Sequence, residues 1–267
     1  MLEPTQTAQP DQAAGLRRLF RTRAGRAIAF VSGREACGRT KLLVQTAAAL
    51  AQAGESVVVI DENGGDANVH AAFGLRPGKD LLDASMNGNA LDGLIQPAVP
   101  GLGVLSAMRL AARSTGFDPD LAGRLDGALR SLQETHSYVL VDCADRSSQH
   151  LSPLALAAPC MAVVVAAQST AITRAYALIK RLVRESGRES FQVVITRARS
   201  DQESLAIFRN MQETAREHLG VRLDYLAGAH QPATDHIAGA LGGRLLYDHA
   251  GFRSLRSAER PRAAIPA

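Results

Sequence analysis

The chain has no tryptophan, 4% aromatic residues and only three cysteines among 267 residues. So thin an aromatic content argues against a stacking surface for nucleic-acid bases. Cys37, Cys143 and Cys160 are odd in number and unrelated in spacing, with no C-x-x-C pair and no matching histidine cluster. Neither a zinc site nor a disulfide framework follows, and the chain reads as reduced and cytosolic. No apolar run approaches the roughly eighteen residues of a membrane span. The opening "MLEPTQTAQPDQ" is polar and lacks a signal-peptide core. Charge of one sign is also scarce: the net charge is +4, which admits an acidic partner but equally describes an ordinary solvated surface.

What is present is 46% apolar residues, enough for a core, in a length that suits one large α/β domain. Five β-branched runs read as strands buried on both faces: "AIAFV" (27–31), "SVVVI" (56–60), "YVLVD" (138–142), "MAVVVAA" (161–167) and "FQVVIT" (191–196). Between them lie helical patterns, "RTKLLVQTAAALAQAG", "DPDLAGRLDGALRSLQET", "AITRAYALIKRLVRESG" and "DQESLAIFRNMQETAREHLG", most of them stopping at glycine. The alternation predicts a doubly wound, mostly parallel α/β sheet flanked by helices, with its ligand site beyond the carboxyl ends of the strands.

Three regions follow: an N-terminal segment (1–26), the α/β domain (27–250) and a short basic tail (251–267) with prolines. In the first, Asp11 is placed to cap a short helix with Ala13, Leu16, Leu19 and Phe20 on one face, and Arg17, Arg18 and Arg21 elsewhere. A stripe of this kind suits docking on an acidic-rimmed groove; the bland reading is a disordered basic arm.

The stretch from Gly33 to Thr40 reads G-R-E-A-C-G-R-T and matches G-x-x-x-x-G-K-[ST] at every defined position except the lysine, which is Arg39. It follows a predicted strand and opens a predicted helix, the context such a phosphate loop needs. Gly33, Gly38 and Thr40 keep their parts, while Arg39 keeps the charge but not the shape of an ammonium. A tight strand-to-helix turn with no ligand remains the other reading. Asp61 and Asp142 end neighbouring predicted strands, so Thr40, Asp61 and Asp142 form a candidate Mg²⁺ set.

These stretches resemble the deviant Walker-A ATPases, the MinD/ParA group, and within it the FlhG/FleN branch. "DQAAGLRRL" (11–19) resembles the D-Q-A-x-x-L-R motif preceding the ATPase domain of that branch, and "GREACGRT" stands in its K-G-G-x-G-K-T loop. "IDENGGDANVHAAFGL" (60–75) is similar to its D-A-D-x-G-x-A-N-x-D segment, and "FQVVITRARSDQESLAIFRNM" to its V-V-N-R-x-x-S strand and helix. The resemblance implies an ATP- and Mg²⁺-binding homodimer that sets the number and placement of bacterial flagella. It implies an N-terminal segment, here Asp11, Gln12, Ala13, Leu16 and Arg17, that stimulates an FlhF-type GTPase, and in some relatives a flagellar transcription activator as a further partner. The nucleotide would meet Gly33, Arg34, Glu35, Ala36, Cys37, Gly38, Arg39, Thr40 and Thr196.

Departures from the pattern converge on that site. The signature lysine, which reaches across the dimer, corresponds to Arg34, and the next two glycines to Glu35 and Ala36. The water-orienting second aspartate is Asn63, which positions water but cannot act as a base. The glycine four residues beyond the magnesium-linked aspartate is Arg146, and the adenine-contacting asparagine is Thr196. These changes around one ligand point to an ATPase fold with slow or lost hydrolysis. An active ATPase dimerisation switch is the alternative, and a ParA-type DNA-segregation ATPase a further one, without a strong nucleic-acid signal. Family members end in a membrane-seating amphipathic helix. Here only Phe252 and Leu255 are large and apolar before Pro261, which predicts a cytoplasmic protein drawn to the inner membrane or cell pole by partners.

Overall fold

Continuous apolar runs and helical stripes settle into alternating elements in the computed structural model, which describes residues 25–33, 37–87, 91–113, 119–144 and 151–230. The five expected strands are β1 (Arg26–Ser32), β2 (Val57–Asp61), β5 (Tyr138–Asp142), β6 (Cys160–Ala166) and β7 (Ser190–Ala198). Three more complete the sheet: β3 (Gln96–Val99), β4 (Leu102–Ser106) and β8 (Arg222–His230). The order is β3-β4-β2-β5-β1-β6-β7-β8. Neighbours pair in parallel except β3 and β4, which are antiparallel, with Pro97 of the edge strand β3 opposite Gly103.

Successive side chains of a strand face opposite ways, and here both faces are covered. Ala27, Ala29 and Val31 of β1 enter one core cluster, whereas Ile28 and Phe30 enter the other. Helices supply the covering layers: α1 (Arg39–Gln52), α2 (Val69–Ala72), α3 (Leu81–Asn87), α4 (Met108–Ala111), α5 (Pro119–Thr135), α6 (Pro153–Ala157), α7 (Ser169–Ser186) and α8 (Asp201–Leu219). On α5 the stripe Leu121, Leu125, Leu129 and Leu132 is buried, each leucine contributing about 2 kcal/mol before entropy is charged. Ser200 accepts a hydrogen bond from the Glu203 backbone N–H to start α8, and Gly187 and Gly220, at φ 63° and 67°, end α7 and α8.

The chain leaves β1 toward β2 on one side of the sheet and later reaches β6 on the other side of β1. This reversal puts a crevice at the carboxyl end of β1, where doubly wound sheets bind ligands. The ends of β2 and β5 converge there, with Asp61 and Asp142 as register partners. The sequence-based segments 1–26, except its last two residues, and 251–267 lie outside the described residues, as do Arg34, Glu35, Ala36 and Arg146. Among the described residues no helix is long and apolar enough to cross a membrane.

Candidate functional site

The two framing glycines of the loop answer to backbone geometry. A Cβ on Gly33 would lie 2.5 Å from the backbone carbon of Arg174, so β1 passes α7 too closely for any side chain. Gly38 sits at φ 84° at the start of α1, a left-handed conformation that favours glycine. The helix therefore starts where the sequence predicts, at Arg39 directly after Gly38.

From α1 the Arg39 side chain turns inward and is 6% exposed. Its Nε donates to Asp142 Oδ1 at 2.7 Å and Nη1 donates to Ser32 Oγ at 3.1 Å. Thr40 Oγ1 donates to Asp142 Oδ2 at 2.7 Å. Burial disfavours the Arg39 charge, yet the neighbouring carboxylate and its hydrogen bond outweigh burial and hold the guanidinium above its ordinary pKa. Burial lifts the Asp142 carboxyl above its ordinary range, against the pull of Arg39 and Thr40. Since the guanidinium keeps its proton, the two stand as a buried ion pair.

Asn63 has every polar group of its side chain in use. Its Nδ2 donates to Thr40 Oγ1 and to the Ala67 carbonyl, both at 3.3 Å, and its Oδ1 accepts from the Gly65 N–H at 3.1 Å. An aspartate could not make the two donations. Asp61 faces the same corner by register, but its carboxylate is directed to His70, accepting from the backbone N–H at 3.1 Å and from Nδ1 at 2.8 Å. Its other oxygen accepts from the Asn63 N–H at 3.1 Å. The structure thus brings Thr40 and Asp142 together and holds Asp61 on other partners. Thr196 is buried, and its hydroxyl donates to the Cys37 carbonyl at 2.8 Å, tying the loop to β7.

Glu62, next to Asp61, is 2% exposed. It accepts from the Ser152 hydroxyl and from the Ala144 N–H. Burial pushes its carboxyl up to about 7, against those hydrogen bonds. Sequence reasoning missed Glu62, Ser32, His70 and Ser152. A serine closing an otherwise apolar strand and an acid beside a strand-end aspartate were the available signals; His70 and Ser152 meet the site only through tertiary contacts.

Above this corner lies a cleft of about 1050 Å³, bounded by Gly38, Arg39, Thr40, Lys41, Glu62 and Asn63 and walled on its far side by Ala71, Ala72, Met108 and Ala111. The smaller part of this lining is polar loop and helix start, suited to an anionic head; the larger part is apolar, suited to a ring or chain.

No family model matches the chain. It is 29% identical over 199 residues to the antiactivator FleN of Pseudomonas aeruginosa, a match spanning 74% of this chain and 71% of that protein. It is 25% identical over 204 residues to the flagellum site-determining protein YlxH of Helicobacter pylori, spanning 74% and 67%. Among solved structures, the MinC:MinD cell division protein complex of Aquifex aeolicus aligns with 87% of this chain and 99% of its own, at a TM-score of 0.63 and 18% identity. That last likeness carries the fold: a mostly parallel sheet with flanking helices.

Proposed function

We propose that this chain, which is similar to the MinD/ParA-type P-loop ATPases on their FleN-like side, regulates the number and placement of bacterial flagella. It does so through Asp11, Gln12, Ala13, Leu16 and Arg17, which act on an FlhF-type GTPase. An adenine nucleotide occupies the cleft and is hydrolysed slowly or not at all. The observation that carries this reading is a match across 74% of the chain to two proteins, both named for flagellar control or antiactivation. The name antiactivator also supports a flagellar transcription activator as a second partner, and the family supports a homodimer.

Slow turnover is supported by Asn63, whose amide has no basic function and is engaged on both sides by Thr40, Ala67 and Gly65. The active dimerisation switch draws on the retained Thr40–Asp142 hydrogen bond. Steady-state phosphate release separates the two.

The partner reading is tested with purified full-length chain and an FlhF-type GTPase. GTP hydrolysis rises several-fold on adding the chain and returns to its basal rate with Gln12→Ala or Leu16→Ala. Unchanged GTP hydrolysis overturns the assignment.

A further inference from the structure

The corner made by Arg39, Thr40 and Asp142 does not fit a divalent cation. Magnesium takes oxygen ligands in near-ideal octahedral geometry, usually through one or two carboxylates that are not already neutralised by a protein cation. Here Asp142 Oδ1 takes the Arg39 Nε and Oδ2 takes the Thr40 hydroxyl, both at 2.7 Å. The Thr40 oxygen also accepts from Asn63 Nδ2. Asp61, the neighbouring carboxylate, is spent on His70 and the Asn63 N–H. The guanidinium balances the Asp142 charge from inside the protein, so this carboxylate offers a dication no unneutralised charge. Among the described residues, no group of three or more His, Cys, Asp or Glu stands where it could hold a metal ion.

We propose that the Arg39 guanidinium takes the place of the divalent cation, so that the cleft binds a polyphosphate of the nucleotide class without metal. This rests on the reading of the cleft as a nucleotide site. A guanidinium carries five N–H donors; within the described residues Arg39 uses one on Asp142 and one on Ser32. Arg39 lines the cleft, so the remaining N–H groups of the fork are those that would meet phosphate oxygens, for which its planar geometry is well matched. Lys41 at the cleft mouth and the N-terminus of the 14-residue helix α1 add potential of the same sign. A lysine at position 39 has three donors on one compact nitrogen and lacks the planar fork that spans Asp142, Ser32 and a phosphate together. Asp142 would then carry charge available to a metal.

The test is binding of a fluorescent ATP analogue to the full-length chain, read by anisotropy in Mg²⁺ and in EDTA. Wild type and Arg39→Lys are compared, with thermal unfolding showing that each is folded. Wild-type affinity agrees within about twofold between the two buffers, and Arg39→Lys binds at least about tenfold tighter with Mg²⁺. A wild-type affinity about tenfold tighter in Mg²⁺ overturns the proposal. So does an absence of binding in both buffers, or a folded lysine variant indifferent to Mg²⁺. The wild-type comparison stands alone if the variant does not fold. GTPase stimulation is read separately, so failure here is distinguishable from failure of the flagellar reading.

Discussion

Thr196, at the carboxyl end of β7, donates its hydroxyl to the Cys37 carbonyl at 2.8 Å, joining positions 159 residues apart. The carbonyl belongs to the loop just before Gly38, so this bond fixes the approach to α1 from across the sheet. Thr196→Val keeps the shape and removes the donor, leaving that carbonyl without this partner in a buried setting. The expected loss is about 1–2 kcal/mol in urea unfolding. Cys37, now 5% exposed, reacts faster with an alkylating reagent in the variant, as mapped by mass spectrometry, while Thr196→Ser stays close to wild type.

The ion pair of Arg39 and Asp142 is more sensitive still. Asp142→Asn leaves a guanidinium buried beside a neutral amide, at an expected cost of about 3–5 kcal/mol in chemical denaturation. Removing both charges, with Arg39→Met added, recovers part of that loss, because no unpaired charge then remains inside. A double variant no more stable than Asp142→Asn alone contradicts this account.

Glu62 makes stability depend on pH. Its folded-state pKa is raised from 4.5 to about 7 by burial, so between those values the folded protein holds the proton that the unfolded chain has lost. Protons bound preferentially to the folded state mean that stability falls as pH rises. The contribution is fully present below the unfolded value and is lost as pH climbs through about 7, a change of about 3 kcal/mol. Glu62→Gln removes this slope in unfolding midpoints measured from pH 5 to 8. Its amide oxygen still accepts from Ala144 and its nitrogen donates to Ser152.

Restoring the family's aspartate at position 63 is not expected to restore turnover. Asn63→Asp gives up both donations, to Thr40 Oγ1 and to the Ala67 carbonyl, and sets a second carboxylate beside Thr40 and its partner Asp142. Stability falls by about 1–2 kcal/mol. Steady-state phosphate release stays at the wild-type level; a large rise shows that position 63 alone limits hydrolysis.

The central strands were legible because burial on both faces leaves nothing but apolar residues, as in "YVLVD" at β5. The strands that went unread have weaker signals. β3 carries Pro97 and alternates between half-buried and exposed, β4 is interrupted by Gly103, and β8 mixes Arg222 and Asp224 with Leu223. Gly33, just past β1, and Gly38, at the start of α1, meet backbone demands that alone require glycine there. A glycine pattern identifies the turn without identifying a ligand. The inward course of Arg39 was hidden for another reason: a sequence shows that an arginine replaces a lysine, but not that a carboxylate 103 residues away waits for it.

At the β3 edge of the sheet, Pro97 offers no N–H and the strand is four residues long and irregular in register. A further strand, whether from a second copy or from an unfolded neighbour, finds a broken template there. Among the described residues this edge is therefore a poor template, and a pair of subunits would gain little by extending the sheet from β3.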